Sequence, residues 1–246
     1  MKALVIQHDH VSPPGPVGEA LEARGYRVHL HQVVHERDFA NPHRHAPFPV
    51  LDGFDLVVPM GAPWSAYDED TTGAWVPQEL HLLREADRRG VPVLGICFGG
   101  QLLAMAHGGS VSRAVVSEIG WMTIDTDIPE LVPPGPWFQW HLDRWETPPG
   151  SLEIARSADA SQAFVLRRNL AVQFHPELTL DSLNGWYLNG GDDQARAAGF
   201  DPEAMVQATI DEGSSAGERA TELVFAFLDR VASEGEPWGV DKSFGS

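Results

Sequence analysis

The chain has 246 residues, 43% of them hydrophobic, and a formal net charge of −18 from 17 basic and 35 acidic residues. That is the composition of a globular protein with ample chain for a buried core, and it excludes the disordered and collagen-like classes. The single cysteine excludes an intrachain disulfide and a zinc site built from several thiolates. The sparse, scattered Lys and Arg argue against a nucleic-acid or anionic-membrane partner.

Residues 2–7 read as a short buried strand, a brief apolar run that ends at Gln7-His8-Asp9. Residues 17–24 follow as a helix, with Pro16 near its start and Gly25 at its end. Residues 26–34 form a second expected strand, 36–49 a loop rich in His, Pro and Asn, and 56–60 a third strand. The loop over 61–70 contains the acidic run Asp68-Glu69-Asp70, read as a solvated stretch. Residues 75–89 have Leu80, Leu83 and Ala86 at helical spacing and end at Gly90. Residues 91–96 are a fourth buried strand, and a helix over 101–107 follows a glycine-flanked turn. Strands without helices between them are expected over 111–116, 121–126, 152–156, 163–167 and 170–174, with Pro-Pro-Gly turns at 133–135 and 148–150. Helices return over 181–188, 202–212 and 216–232. The alternation in the first half predicts a three-layer α/β fold: a mostly parallel central sheet with helices on both faces. The later strands are expected as antiparallel additions to that sheet. One domain is expected over 1–232, with 190–232 a helical extension and 233–246 a loose tail.

The apolar run Ala3-Leu4-Val5-Ile6 is too short for a signal-peptide core. The longest mostly apolar stretch, 91–106, is interrupted by Pro92, glycines and Gln101 and is too short to span a bilayer. A cytoplasmic location is therefore expected.

The chemistry concentrates around the lone thiol. Gly95-Ile96-Cys97-Phe98-Gly99 has the Gly-x-Cys-x-Gly pattern of a nucleophile elbow between a strand and a helix. Small neighbours permit the strained turn, and the helix N-terminus favours a thiolate. A thiol nucleophile needs a base, and the base needs an orienting acceptor. Of the eleven histidines, His175 is the best placed, because it follows the apolar run Leu170-Ala171-Val172-Gln173-Phe174. That puts it at a strand's end, where α/β active sites gather. Pro176 ends the strand, and Glu177, two residues on, falls on the same side of extended chain. Each segment taken alone also has a plainer reading: a buried structural cysteine, and a strand end with an incidental acid. His29 and His31 on a strand, and His43 and His45 in a loop, lack acidic or thiolate partners at ligand spacing, so no metal site is expected. Trp64, Trp140 and Trp186 are the tryptophans expected along a substrate cleft.

Together, Gly95-Ile96-Cys97-Phe98-Gly99-Gly100-Gln101 and Val172-Gln173-Phe174-His175-Pro176-Glu177 resemble the nucleophile elbow and the His-Glu segment of the class I, triad-type glutamine amidotransferases. Val57-Val58-Pro59-Met60-Gly61-Ala62-Pro63 resembles that family's oxyanion strand, in the right order before the elbow. Glu118-Ile119-Gly120-Trp121, Phe138-Gln139-Trp140-His141-x-Asp143 and the start Leu4-Val5-Ile6-Gln7-His8 resemble segments of stand-alone members similar to the amidotransferase domain of GMP synthase. The resemblance runs from about residue 2 to residue 190. Two positions depart from it: Gly100 stands where many members have His, and Ala62 stands where a second glycine is usual.

The resemblance implies a class I amidotransferase-like, flavodoxin-like fold and a mechanism. Cys97 attacks the side-chain amide of glutamine or another γ-glutamyl compound, His175 moves the proton, and Glu177 holds the imidazole. Backbone N–H groups at Phe98 and at Gly61 or Ala62 hold the oxyanion, and water cleaves the thioester. Gln101 shapes the pocket, and Glu118, Trp121 and His141 are expected on its wall. No cofactor is implied. No Gly-x-x-x-x-Gly-Lys phosphate loop occurs, so an amidotransferase role calls for a separate synthetase partner. The other expectations are a stand-alone hydrolase of γ-glutamyl peptides or amines and, in a different class, a redox-sensing or chaperone-like relative. His175 and Glu177 speak against the last, since a sensor thiol needs no ordered base.

Overall fold

The computed structural model of the chain describes residues 1–233. All of the expected tail except Ser233 lies outside the described residues. Strands β1 (Lys2–Gln7) and β2 (Arg27–Gln32) are joined through helix α1 (Gly15–Ala23), a loop with one short 3-10 turn leads to β3 (Leu56–Pro59), and helices α2 (Glu69–Thr72) and α3 (Val76–Arg88) lead from it to β4 (Val93–Ile96). Helix α4 (Phe98–Ala106) follows β4 directly. Then come β5 (Ser110–Thr123), β6 (Asp125–Thr126), β7 (Pro136–Glu146), β8 (Leu152–Arg156), β9 (Ser161–Leu166) and β10 (Asn169–Val172). Helices α5 (Leu180–Leu188), α6 (Gly191–Ala197) and α7 (Pro202–Arg230) close the described chain.

The main sheet has eight strands in the order β2-β1-β3-β4-β10-β9-β8-β6. The first five are mutually parallel, and β9, β8 and β6 add antiparallel. Both faces of the parallel half are covered, which is why its strands are apolar at successive positions rather than alternating. Ala3, Val5, Val58, Leu94, Ile96 and Val172 pack on one side against α1 and the second half of α7, through Val17, Leu21, Leu223, Val224 and Phe227. Leu4, Ile6, Val57, Val93 and Ala171 pack on the other side against α3 and α4, through Leu82, Leu83, Ala86, Leu102 and Leu103. A third cluster, with Ile119, Phe138, Leu183 and Met205, ties β5 and β7 to the C-terminal helices. Among the described residues, no helix is long and apolar enough to cross a membrane.

The structure corrects several expectations. The strands expected over 111–116 and 121–126 are largely one strand, β5, whose register against β7 shifts between Arg113 and Glu118. With β7, β5 forms a separate two-stranded sheet, and only residues 125–126, as β6, add antiparallel to the main one. Strand β7 has no counterpart among the expected strands. Strand β10 runs parallel to β4 and is the last of the parallel set, not an antiparallel addition. Helix α4 begins at Phe98, three residues earlier than expected, so no loop separates the thiol from the helix. Asp68-Glu69-Asp70 is not simply a loop: Asp68 caps the short α2 by accepting from the Thr71 N–H. The two helices expected over 202–212 and 216–232 are joined as α7, which bends at Gly213 (φ 17°, ψ −105°).

Three neighbouring strands of the sheet, β3, β4 and β10, release their chains at the same, C-terminal edge. Gly61, Cys97 and His175 follow them by one to three residues. This brings together three segments far apart in sequence, at the edge where α/β sheets build their sites.

Candidate active site

Cys97 alone turns the chain from β4 into α4. Its backbone lies at φ 48°, ψ −106°, a conformation that costs an L-residue about 1–3 kcal/mol. Neighbouring bonds hold it there. Cys97 N–H donates to the Val172 carbonyl at 2.7 Å, and Gly99 N–H donates to the Met60 carbonyl at 3.0 Å. A Cβ on Gly99 would stand 2.1 Å from the Pro59 carbonyl oxygen, so only glycine lets β3 pass this close. The strain sets the thiol at the N-terminus of α4. Beside Gly100, the Trp145 ring stands 2.9 Å from where a Cβ would be. The indole thus fills the space that a larger residue at position 100 would need.

His175 and Glu177 follow β10 and are both buried. Glu177 Oε1 lies 2.8 Å from His175 Nδ1. A carboxylate can only accept here, so Nδ1 carries the proton and Nε2 is left as the reactive nitrogen. Nε2 is buried without a well-aligned hydrogen-bond partner. Burial pulls the imidazole's pKa down, but the Glu177 charge and the adjacent Cys97 outweigh it and hold the pKa well above the ordinary value. A thiol, an imidazole beside it and a carboxylate on the far ring nitrogen are the parts of a nucleophile, its base and the base's orienting group.

Gly61 packs against this group. A Cβ there would stand 3.0 Å from His175 Cε1 and 3.8 Å from Cys97 Cβ. The backbone N–H groups of Gly61, Ala62 and Phe98 make no hydrogen bond among the described residues. Unsatisfied donors around a nucleophile are what an oxyanion requires.

These residues border a cleft of about 280 Å³. Gln101 and His141 line it, as do Trp64, Trp140 and Trp186. Gln101 Nε2 donates to the Asp143 carbonyl at 3.3 Å. Glu118 and Trp121, expected on the wall, are not among the lining residues. Glu118 sits behind His141, 3.0 Å from its Nε2, and accepts from Gln162 Nε2 at 2.8 Å. Trp121 is turned toward α7, where its indole N–H donates to Thr209 Oγ1 at 3.0 Å. The period-2 geometry of β5 explains this: Glu118 and Gly120 share one side of the strand, Ile119 and Trp121 the other.

Sequence reasoning assigned no role to Gln173, yet its Nε2 lies 3.6 Å from the Cys97 sulfur. It also assigned none to Asp9, Ser12 or Gln194 on the cleft wall. For Gln173 a signal existed: a fully buried amide in an otherwise apolar strand end is costly without a partner. The histidines weighed as metal ligands pack elsewhere. His29 lies against Phe54 and His31 against Phe48. Among the described residues, no group of three or more His, Cys, Asp or Glu is arranged to hold a metal ion.

Comparison with known proteins agrees with this fold. The family model described as glutamine amidotransferase class-I matches residues 17–189. The chain is 35% identical over 137 residues to a separate subunit of the glutamine-hydrolyzing GMP synthase of Sulfolobus acidocaldarius, a match covering 52% of this chain and 70% of that protein. It is 38% identical over 105 residues to GMP synthase (glutamine-hydrolyzing) of Anaplasma marginale, where it covers 37% of this chain but only 20% of the relative. Among solved structures, a glutamine amidotransferase from Methylobacillus flagellatus superposes with a TM-score of 0.80 at 25% identity, over 96% of this chain and 97% of that one. One from Thermotoga maritima shares the fold with a TM-score of 0.78 at 22% identity, over 95% of this chain and 99% of the other. The chain belongs to the class I glutamine amidotransferase family.

Proposed function

We propose that the protein hydrolyses the side-chain amide of glutamine, or of a related γ-glutamyl compound, through a γ-glutamyl thioester on Cys97. His175 accepts the thiol proton and returns it to the departing ammonia or amine, and Glu177 keeps the imidazole in the productive tautomer. The Phe98 N–H and those of Gly61 and Ala62 stabilise the oxyanion of the tetrahedral intermediate. Water then attacks the thioester, with His175 taking its proton, and glutamate leaves. Gln101 and His141 shape the substrate side of the cleft. The observation that carries this reading is the juxtaposition of the strained Cys97 with a buried imidazole, whose near nitrogen is uncommitted and whose far nitrogen is held at 2.8 Å by Glu177.

Relatives named as separate subunits of a glutamine-hydrolyzing GMP synthase support a further step, in which the ammonia passes to a synthetase partner. The test is glutamate and ammonia release from glutamine and a panel of γ-glutamyl amides and peptides, with acid-quenched mass spectrometry of Cys97. The expected result is equimolar release and a glutamyl adduct on Cys97 during turnover. Release from none of these substrates, with Cys97 free and reactive to alkylation, would overturn the proposal. Acceleration by an added synthetase would favour the role as one half of a two-part synthase. Full turnover on a γ-glutamyl peptide or amine, with glutamine a poor substrate, would favour a stand-alone hydrolase.

A further inference from the structure

The residue after β1, His8, is completely buried and is not part of the cleft. The parallel pairing of Ile6 with Pro59 carries the two chains out of the sheet side by side, bringing His8 beside Gly61. Its Nδ1 lies 3.1 Å from the Gly61 carbonyl oxygen, and its Nε2 lies 3.1 and 3.0 Å from the two Glu79 oxygens. The ring stacks on Trp75 at 5.6 Å and meets Phe98 edge-on at 4.9 Å. It therefore touches both segments that supply backbone donors beside Cys97.

Proton bookkeeping constrains this cluster. A carbonyl oxygen can only accept, so Nδ1 must carry a proton. An ionised carboxylate can only accept, so Nε2 facing it must carry one too. The pair thus holds one proton more than a neutral imidazole beside a carboxylate would. Burial pulls the His8 pKa down, but Glu79, the bond to Gly61 and Asp9 together outweigh it and raise the pKa. His31 also faces this pair: burial lowers its pKa, against which Glu79 raises it, while His8 and His35 lower it further.

The consequence lies in the peptide that follows. No cis peptide bond occurs among the described residues, so the Ala62 N–H points opposite to the Gly61 carbonyl. The Gly61 carbonyl meets the buried His8, which lies outside the cleft, while Ala62 lines the cleft beside Cys97, so a trans peptide leaves the Ala62 N–H on the side away from His8. We propose that His8, braced by Glu79, is a positioning residue that locks the Gly61–Ala62 peptide with its N–H facing the oxyanion. It also accounts for the tolerance of Ala62, since the orientation is imposed from the carbonyl side and does not need a second glycine. This inference rests on the reaction given under Proposed function.

The test separates the two ring nitrogens. Asn at position 8 offers a donor near the place of Nδ1, and Gln offers one near that of Nε2. Each is combined with Glu79→Gln so that no buried charge is stranded. Turnover of the best γ-glutamyl substrate is then measured, together with the thermal midpoint and the affinity for a glutamine-derived aldehyde, whose hemithioacetal oxygen occupies the oxyanion position. H8Q/E79Q should lower kcat by about 10²-fold, the cost of one misdirected oxyanion donor. KM should change little and aldehyde affinity should fall in parallel. H8N/E79Q should recover most of the lost kcat at a similar thermal midpoint. If both double variants retain full kcat, or both lose it equally in step with lost stability, His8 is only structural and the proposal is overturned. If the wild-type protein neither turns over nor binds the aldehyde, the hydrolytic reading has failed and the positioning role falls with it.

Discussion

Two buried His–Glu pairs flank Gly61, and they differ in one respect. In His175–Glu177 the carboxylate takes Nδ1 and leaves Nε2 without a well-aligned partner. In His8–Glu79 both nitrogens are committed, one to the carboxylate and one to the Gly61 carbonyl. The chemistry and burial of the two pairs are alike, so residue type and pKa alone would not separate them. What separates them is the uncommitted nitrogen: a base must have a vacant site to receive a proton, and a brace must not. The third pair, His141–Glu118, falls between them: Nδ1 lies 3.1 Å from the Asp143 carbonyl oxygen, and Nε2 lies 3.0 Å from Glu118 but without a well-aligned hydrogen bond.

The sharpest way to break this comparison is to remove the groups that only the first pair serves. Cys97→Ala should lower kcat by at least about 10⁴-fold while leaving the thermal midpoint within a few degrees, and His175→Ala should do nearly the same, because members of such a unit are not additive. Steady-state kinetics with a folding control checks both. Substantial turnover by Cys97→Ala would remove the thiol from the mechanism. Glu177→Gln should cost about 10³-fold in kcat, since the amide no longer selects the tautomer.

The pH dependence follows from the same pair. His175 is held well above the ordinary imidazole value by Glu177 and Cys97 against the opposing effect of burial. A raised pKa keeps the imidazolium, which returns a proton to the leaving amine, populated to higher pH. Activity should therefore be retained above the usual imidazole range and lost as pH rises through the elevated value. In Glu177→Gln burial is left less opposed, so the residual activity should fall away at lower pH than in the wild type. A pH–kcat profile of the two proteins reads this directly. An unshifted alkaline limb would remove Glu177 from control of the imidazole.

Much of this site was legible because its signals are local. The elbow is written within Gly95–Gly99, and the His–Glu pair spans three residues at a strand end. Strand direction is not written locally. β9 and β10 are joined by Arg167 and Arg168, with Arg167 at φ 55°, and read as a hairpin. Nothing in that hairpin says which of its strands will lie beside β4. β7 was missed because its aromatic run Trp137-Phe138-Gln139-Trp140 lacks an apolar–polar alternation. Its residues feed separate surroundings, with Trp137 stacked on Phe174 and Trp140 on the cleft wall. His8–Glu79 was invisible for a plainer reason. The partners are 71 residues apart, the resemblance of the segment Leu4–His8 assigns His8 no role, Glu79 lies in no motif, and only the register of β1 against β3 brings His8 beside Gly61.

A smaller effect tests whether the elbow's strain comes from the backbone packing around it. Gly99→Ala places a methyl 2.1 Å from the Pro59 carbonyl oxygen. β3 and α4 must separate, at a cost of about 3 kcal/mol, or roughly a 10 °C lower thermal midpoint for a chain of this size. kcat should fall with it, because the Gly99–Met60 bond helps to hold Cys97 in its unusual conformation. A stable, fully active variant would show that the elbow does not depend on this contact.

The smallest expected effect separates the cleft wall from what lies behind it. Trp121 donates to Thr209 and stacks edge-on against Phe138 at 5.5 Å, away from the cleft. Trp140 lies on the wall and donates to Gln194. Trp121→Phe removes one half-buried hydrogen bond, costing about 1 kcal/mol, and should leave KM for the γ-glutamyl substrate within about two-fold by the same reasoning that it touches nothing in the cleft. Trp140→Phe removes a similar bond but also frees Gln194 on the wall, so KM should rise several-fold for a similar loss of stability. Equal KM values for the two variants would mean that substrate does not sense the Trp140 side of the cleft. A larger rise for Trp121→Phe would mean that the wall is set indirectly, through Phe138 and the helices packed behind it.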